Sequence, residues 1–160
     1  MRKFTEKFIK LYLLILISFV AVSGLTAQEN KEKPIDLNEF LGARLYKVFK
    51  TFDKPRDVFC SGDGKGEVVL DYGTFAFQIG NKTVTIVYFW ENFPGVVFGV
   101  KTDMSMDTIK EVLGKPNETK VSKIDGGTIL IYTIPQTDRM FVVIFNKQGR
   151  IIRMQIEWLD

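Results

Sequence analysis

The residues of this 160-residue chain that could support acid–base chemistry are its carboxylates, and the candidates are Asp57, Asp71, Glu91 and Glu157. They would act without imidazole, because the chain has no histidine and therefore no Ser-His-Asp group, Cys-His group or usual zinc site. Nothing in the spacing of the four carboxylates brings two of them to one point. We therefore predict no catalytic residue, no cofactor and no metal site, and a protein that is not an enzyme.

The most conspicuous loop is the glycine-rich stretch from Ser61 to Glu67, in which acidic and basic side chains alternate. It has too few oxygen ligands in register for a calcium loop, and it lacks the Gly-Lys-Ser/Thr sequence of a phosphate loop. Its glycines favour a flexible connection between a helix and a strand. Because such loops are exposed, Asp63 and Lys65 are candidates for contact with a protein partner.

A single cysteine, Cys60, rules out an intramolecular disulfide, so packing must stabilise the fold. We expect Cys60 to be a small buried apolar residue rather than a reactive thiol, because a nucleophilic role would call for a histidine.

The first 27 residues have the layout of a secretory signal peptide. Four basic residues precede an apolar run at 11–22, which is shorter than the roughly 20 residues of a membrane-spanning helix. We assign 1–27 as the signal peptide and 28–36 as a polar linker. The protein is then exported to the periplasm or secreted. It would stay at the membrane through its N-terminal segment only if that segment is not cleaved.

The basic character of the whole chain comes from this leader. Removing 1–27 takes four of the 22 Lys and Arg and one of the 19 Asp and Glu, which leaves 18 of each. A neutral chain has no long-range field to attract phosphate backbones, so nucleic acid is not an expected partner.

Two amphipathic stretches, each ended by a Lys-Pro turn, predict helices. The first covers about 37–52, with Leu45, Val48 and Phe49 on its apolar stripe. The second begins after Ser105 as the N-cap and ends at Gly114, the residue type that suits a left-handed position after a helix.

The stretches that follow the two helices predict strands in the same order. Runs at 68–70, 74–79 and 83–90 match runs at 129–131, 139–145 and 151–158, with turns between them. The sequence therefore predicts an α+β fold of two related repeats, 37–100 and 101–160. Each repeat would contain one helix and a three-stranded antiparallel sheet, with the helices on one side of the sheet.

Period-two alternation indicates which side chains of the last strands face away from the helices. The residues predicted on this open face, and taken as candidate partner-binding residues together with Asp63 and Lys65, are Thr85, Val87, Phe89, Arg153, Gln155 and Glu157.

The order of a helix, Gly114-Lys115-Pro116 and three strands with the hairpin 145–151 resembles the repeat shared by the β-lactamase inhibitor protein and BamE (SmpA/OmlA) envelope subunit superfamily. The resemblance is best over 102–158. It implies helices on one side of an antiparallel sheet whose open face or loops bind another protein, and it carries over no catalytic residue. The single cysteine cannot supply a disulfide in each repeat, and the leader lacks a lipoprotein cysteine.

These features predict an exported, non-enzymatic interaction module of the cell envelope that binds an envelope or secreted protein. The alternative is a carrier of small apolar ligands, in which strands 74–79, 83–90 and 139–145 line a cavity between the two repeats. A histidine-free hydrolase that uses carboxylates ranks third, because the sequence offers components without a constellation.

Overall fold

The computed structural model describes residues 36–61, 66–123 and 126–159. The strands are β1 (Asp57–Cys60), β2 (Val68–Asp71), β3 (Phe75–Gly80), β4 (Thr83–Trp90), β5 (Glu118–Val121), β6 (Thr128–Thr133), β7 (Arg139–Phe145) and β8 (Ile151–Trp158). They form one antiparallel sheet in the order β1-β2-β3-β4-β8-β7-β6-β5. The described helices are a 3₁₀ helix (Leu37–Phe40), α1 (Leu45–Thr51) and α2 (Met106–Leu113). The predicted signal peptide and the linker up to residue 35 lie outside the described residues.

The predicted fold of two helix-plus-three-strand units is wrong. The structure has a single eight-stranded sheet. Each half of the chain supplies four of its strands and one α-helix that packs on it. The strands missing from the prediction are β1 and β5, the two edges of the sheet, whose residues are all exposed. An exposed four-residue strand buries no alternate side chains, so it lacks the period-two pattern by which strands are recognised. The repeat boundaries themselves stay a prediction.

The two halves have the same layout and meet at the middle of the sheet. In each half the strands are neighbours in chain order, and β4 then pairs with β8 so that Tyr88 lies opposite Gln155. Equivalent strands therefore meet antiparallel, which relates the halves by an approximate twofold rotation. β4 and β8 are hydrogen-bonded neighbours, so no gap separates the two halves within the sheet. The ligand cavity predicted from 74–79, 83–90 and 139–145 stays a prediction.

A β-bulge near the start of β4 decides which of its side chains face the helices. Ile79 pairs with Val84, but the preceding residue of β3 pairs with Ile86, so Thr85 is an extra residue in the strand. A bulge of this kind reverses the alternation beyond it. Val87 and Phe89 consequently lie in the core beneath the helices, with exposures of 0% and 1%. Their predicted place on the open face is therefore wrong.

The equivalent strand of the second half carries a bulge at the same place. Phe145 pairs with Ile151 and the preceding residue of β7 pairs with Arg153, which leaves Ile152 as the extra residue. Ile151 and Met154 face the core, so Arg153 faces away from the helices.

The predicted helix at 37–52 is divided into two pieces by Gly42, whose φ is +79°. The chain on either side of this break runs beside the start of β4. The Gly42 amide donates to the Val84 carbonyl and the Leu45 amide to the Lys82 carbonyl, both at 2.8 Å. These bonds hold α1 against the bulged strand, and they leave Phe49, predicted on the apolar stripe, 52% exposed.

The second helix forms where the sequence predicts it. Ser105 Oγ accepts from the Thr108 amide at 3.2 Å, and Gly114 ends the helix with a φ of +81°. Ile109 of α2 and Val48 of α1 are fully buried in one apolar cluster with residues of the strands, so both helices cover the same side of the sheet. In the described part of the chain, neither helix has the length and apolar character needed to cross a membrane.

Candidate functional site

The side of the sheet turned away from the helices carries its own small cluster of packed side chains. Val69, Ala76 and Tyr88 are its buried members, and Ile86 and Trp90 pack against them. All five belong to strands, so the described helices contribute nothing to this side. We call the following set the open-face cluster: Val69, Asp71, Gln78, Ile86, Tyr88, Trp90, Arg153 and Gln155.

Two stacked aromatic rings form the centre of the open-face cluster. The rings of Tyr88 and Trp90 lie 5.4 Å apart at an interplanar angle of 8°. The Arg153 guanidinium, on the neighbouring strand β8, lies 5.2 Å from the centroid of the Tyr88 ring. A cation at this distance from an aromatic ring is attracted by the electron density of the ring. The contact therefore joins the two halves of the sheet on this side.

Hydrogen bonds to side chains of β2 and β3 hold the two rings in place. The Trp90 indole Nε1 donates to Asp71 Oδ1 at 2.9 Å, and the Tyr88 hydroxyl donates to the Gln78 side-chain oxygen. The Gln78 side-chain nitrogen in turn donates to the Glu67 carboxylate. Each ring is therefore fixed both by packing and by a hydrogen bond.

A depression of about 280 Å³ opens among these side chains. Phe59 on the edge strand β1 forms one wall, and Ile86, Tyr88, Trp90 and Arg153 form the rest with Val69 and Gln78. Phe59 is 44% exposed, whereas Gln78 at the bottom is 4% exposed. The depression is therefore lined by aromatic and aliphatic groups, with an arginine at its side.

Polar atoms at the centre of the open face lack partners among the described residues. Gln155 Oε1 and Arg153 Nε are buried and make no hydrogen bond there, and Gln155 is 9% exposed. A buried polar atom without a partner destabilises the fold by about 1–3 kcal/mol. The centre of the open face therefore holds an unused acceptor at Gln155 and an unused donor at Arg153, both beneath its surface.

The structure brings together half of the residues predicted to bind a partner. Arg153, Gln155 and Glu157 face away from the helices, opposite Trp90, Tyr88 and Ile86 respectively. Thr85 lies on the same side, since its methyl group and the Glu67 carboxylate both crowd the open-face side of Gly80. Val87 and Phe89 are in the core for the reason given above. Asp63 and Lys65 lie outside the described residues.

The residues predicted on the open face did not include the centre of the cluster, Tyr88, Trp90 and Ile86, because unbroken alternation along this strand puts them on the face opposite Thr85, Val87 and Phe89. The error follows from the one-residue bulge at Thr85, which inverts every later side chain of the strand. The hydrophobic pattern alone could not reveal it, since both faces of β4 are largely apolar. The pairing of Trp90 with Asp71 leaves no sequence signal either, because the two residues are 19 positions apart.

The strand pairing places two of the four candidate carboxylates opposite each other. Asp57 lies directly opposite Asp71 across β1 and β2. Asp57 accepts from the Val58 amide at 2.8 Å, and Asp71 accepts from the Gly73 amide and the Trp90 indole. Both carboxylates therefore have structural partners. Across the described ranges, no group of three or more Cys, Asp or Glu is placed to hold a metal ion. Cys60, expected to be buried, is exposed on the edge strand β1.

Two further clefts lie outside the open face. The larger, of about 630 Å³, is lined mostly by polar loop residues such as Asn92, Asp103 and Arg150 at the start of α2. None of its described lining residues has a buried polar atom without a partner. The smaller, of about 290 Å³, lies at the other end of α2 and is mainly apolar.

No protein-family model and no curated protein matches the sequence. The fold is similar to that of a DUF4309 family protein from Bacillus subtilis, with a TM-score of 0.50 and 10% identity over 72% of this chain and 78% of that one. It is also similar to an extracellular protein containing an SCP domain from Bacillus anthracis, with a TM-score of 0.59, 10% identity, and 82% and 48% of the two chains covered.

A third similar structure is a cysteine-rich secretory protein from Staphylococcus aureus, with a TM-score of 0.53, 14% identity, and 78% and 45% of the two chains covered. The chain thus spans about half the length of the last two proteins. At these identities the likeness concerns the fold alone. The resemblance to the β-lactamase inhibitor protein and BamE superfamily stays a prediction, since these comparisons do not test it.

Proposed function

We propose that this protein is an exported, non-enzymatic interaction module that binds another exported protein through the open-face cluster. The signal-peptide pattern of residues 1–27 supports export, and two proteins of similar fold are described as extracellular and secretory. The partner is a protein of the envelope or of the secreted fraction.

The observation that carries the proposal is the depression around Tyr88, Trp90 and Arg153. Tyrosine, tryptophan and arginine are the residue types most enriched at the energetic centres of protein interfaces. Here they are held in fixed positions by stacking and by hydrogen bonds to Asp71 and Gln78. A preordered aromatic pocket avoids part of the entropy that association otherwise costs.

The chemistry of the cluster defines what the partner must present. An apolar side chain fits the depression, which has room for about nine water-sized volumes. Beside it, the partner presents hydrogen-bonding groups to the side chains of Arg153 and Gln155, each of which has an unsatisfied polar atom among the described residues. A peptide backbone offers both a carbonyl and an amide within one residue, so a protein segment fits these requirements.

The test is co-purification of the full-length, tagged protein from cells of its own organism, followed by quantitative mass spectrometry. The variants are Arg153→Ala, which removes the cation at the depression, and Tyr46→Ala, which removes an aromatic ring that is 69% exposed on α1. We expect one stoichiometric partner with the native chain and with Tyr46→Ala. Recovery with Arg153→Ala should fall by about tenfold, the loss typical of a residue at the centre of an interface.

Full recovery of the same partner by Arg153→Ala would exclude the open face as the contact. A similar loss with both variants, alongside unchanged thermal unfolding, would place the contact elsewhere or make it nonspecific.

A further inference from the structure

The apolar cleft of about 290 Å³ lies on the helix side of the sheet, against β6 and β7 of the second half. Its floor is formed by Tyr132 of β6 and Phe141 of β7, and its walls by Leu113 at the end of α2, by Phe98 and by the β6–β7 loop at Ile134. This cleft lies on the opposite side of the sheet from the open-face cluster, so an inference about it does not depend on the proposed function.

The strand registers identify the matching positions in the first half. Val69 and Leu70 pair with β3 as Ile129 and Leu130 pair with β7. Continuing these registers matches Tyr72 with Tyr132, Phe75 with Phe141, and Phe77 with Val143. The Lys-Pro turns after the helices match Phe52 with Leu113.

In the first half the matching space is filled by aromatic rings. Phe52 lies 5.4 Å from Tyr72, 5.3 Å from Phe75 and 5.5 Å from Phe77, measured between ring centroids. The second half replaces Phe52 by Leu113 and Phe77 by Val143, which removes two rings. Because the surrounding strands keep the same pairing, the missing volume remains as a cleft rather than being closed by collapse.

A longer hairpin gives the cleft an additional wall. In the first half Tyr72 and Phe75 close a tight turn, with the Tyr72 amide donating to the Phe75 carbonyl at 2.9 Å. Between the matching residues of the second half the chain extends through Ile134 and Pro135, which line the cleft. The Ile134 amide donates to the Arg139 carbonyl at 2.9 Å and fixes this extension.

The turn that carries Phe98 adds a strained wall. Val97 and Val100 exchange both backbone hydrogen bonds at 2.9 Å, and the two residues between them have φ of +49° for Phe98 and +84° for Gly99. A bulky residue with positive φ is an outlier, and such outliers persist where the surrounding structure holds them. Here the ring centroids of Phe98 and Phe141 are 5.3 Å apart, and Gly99 lies against Val112 of α2.

Polar groups at the cleft define one end of its ligand. Tyr132 lines the cleft and is 6% exposed, and its hydroxyl has no hydrogen-bond partner among the described residues. Burial raises the pKa of Tyr132, so its hydroxyl stays a donor at neutral pH. Lys115, which carries a positive charge, is also among the residues that line the cleft. An acceptor that carries negative charge satisfies both groups.

We propose that this cleft binds a small apolar carboxylate, with its apolar body between Leu113, Phe98 and Phe141 and its carboxylate toward Tyr132 and Lys115. The volume corresponds to about ten water-sized groups, so the ligand has an apolar body of about ten non-hydrogen atoms. A medium-chain fatty acid and a two-ring aromatic carboxylate both have this size and charge.

The test is calorimetric titration of the full-length protein with decanoate and with 2-naphthoate, and with decanol as an uncharged counterpart. We expect at least one carboxylate to bind. Leu113→Phe, which copies the residue that fills the first half, should weaken binding by about tenfold or more by occupying the site. Tyr132→Phe should weaken it by about fivefold and Lys115→Gln by about threefold.

Tyr72→Phe is the matched control, because it removes a tyrosine hydroxyl from the half without the cleft. It should leave the affinity unchanged. The proposal would be overturned if the native chain and Leu113→Phe bound the carboxylate with equal affinity and circular dichroism showed that the variant is folded. Decanol binding as tightly as decanoate, or no binding of either carboxylate at millimolar concentration, would overturn it too.

Discussion

The first half of the protein packs aromatic rings beneath its strands, and the second half leaves the matching space open as a cleft. Phe52 and Phe77 lie in a cluster of rings with Tyr72 and Phe75. At the equivalent positions Leu113 and Val143 are smaller, and the β6–β7 loop and Phe98 build walls around the gap. The strand pairing is the same in both halves, so the smaller side chains at Leu113 and Val143, together with the longer β6–β7 loop and the Phe98 turn, account for the difference.

The halves differ on the open side of the sheet as well, in the opposite sense. The first half presents the aromatic rings of the open-face cluster there, and Arg153 and Gln155 of β8 lie beside them. The second half presents aliphatic residues, with Ile144 opposite Arg153 and Val142 opposite Gln155, both less than 10% exposed. An approximate twofold frame thus carries two different surface features, the open-face cluster and the cleft, on opposite sides of the sheet. The comparison teaches that two halves with the same strand layout can present different surfaces when a few side chains differ.

The largest expected effect separates the solid half from the hollow one. Phe77→Ala should lower the free energy of unfolding by about 3–5 kcal/mol, because it removes a fully buried ring from an aromatic cluster. Val143→Ala, at the equivalent position, should cost only about 2 kcal/mol because it removes two methyl groups. Denaturant unfolding of both variants measures the difference. Equal losses would contradict the comparison.

Exchanging the residues at the helix ends should move stability in opposite directions. Phe52→Leu opens a gap in the first half and should destabilise by about 1–2 kcal/mol. Leu113→Phe fills the cleft and should stabilise by about 0.5–2 kcal/mol, as cavity-filling substitutions commonly do. Thermal unfolding of the two single variants and of the double variant tests both signs. Destabilisation by Leu113→Phe would mean that the cleft cannot accept a ring.

Phe98 is the first central residue of the Val97–Val100 turn, and replacing it by glycine should give a more stable protein than replacing it by alanine. Phe98→Gly relieves the positive φ, whereas Phe98→Ala keeps the unfavourable left-handed conformation, a difference of about 1 kcal/mol. Both variants lose the same ring contact with Phe141, so comparing them isolates the backbone term. The measurement compares the unfolding midpoints of the two variants. A higher midpoint for Phe98→Ala would show that the backbone at this position is not strained.

The smallest expected effect is a loss of folding stability at alkaline pH, to which one buried tyrosine in each half should contribute equally. Burial raises the pKa of Tyr72 and of Tyr132 above the ordinary value of 10.0. Above that value the unfolded chain loses these protons before the folded one, so stability falls as pH rises. Tyr72→Phe and Tyr132→Phe should each make this decline shallower. Unfolding measured from pH 8 to 11 tests it, and an unchanged slope in either variant would argue against the burial of that hydroxyl.

Part of the fold could be predicted from sequence because its signals are local. The second helix follows from the Ser105 cap, an apolar stripe and Gly114, and the structure confirms it. Six of the eight strands appear as apolar runs between turns. The edge strands β1 and β5 could not be recognised, since their exposed residues show no alternation. The joining of both halves into one sheet could not be predicted, because it depends on the pairing of β4 with β8, about 67 residues apart.

The candidate site could be predicted only where polar and apolar residues alternate clearly along a strand. Arg153 and Gln155 lie on the open face as the alternation of β8 indicates. Val87 and Phe89 do not, because Thr85 shifts the alternation of β4 by one residue. The cleft of the second half depends on the absence of bulk at Leu113 and Val143. Such an absence becomes visible only when the strand registers align the two halves.

The most direct test of the proposed function is photo-crosslinking of the full-length protein in its native cells. A photoreactive phenylalanine at Phe59, on the wall of the open-face depression, is compared with the same residue at Phe49 on α1; both side chains are partly exposed. We predict one protein crosslinked from position 59, absent from position 49 and lost in Arg153→Ala. The same products from both positions, or products from position 49 only, would contradict binding through the open face.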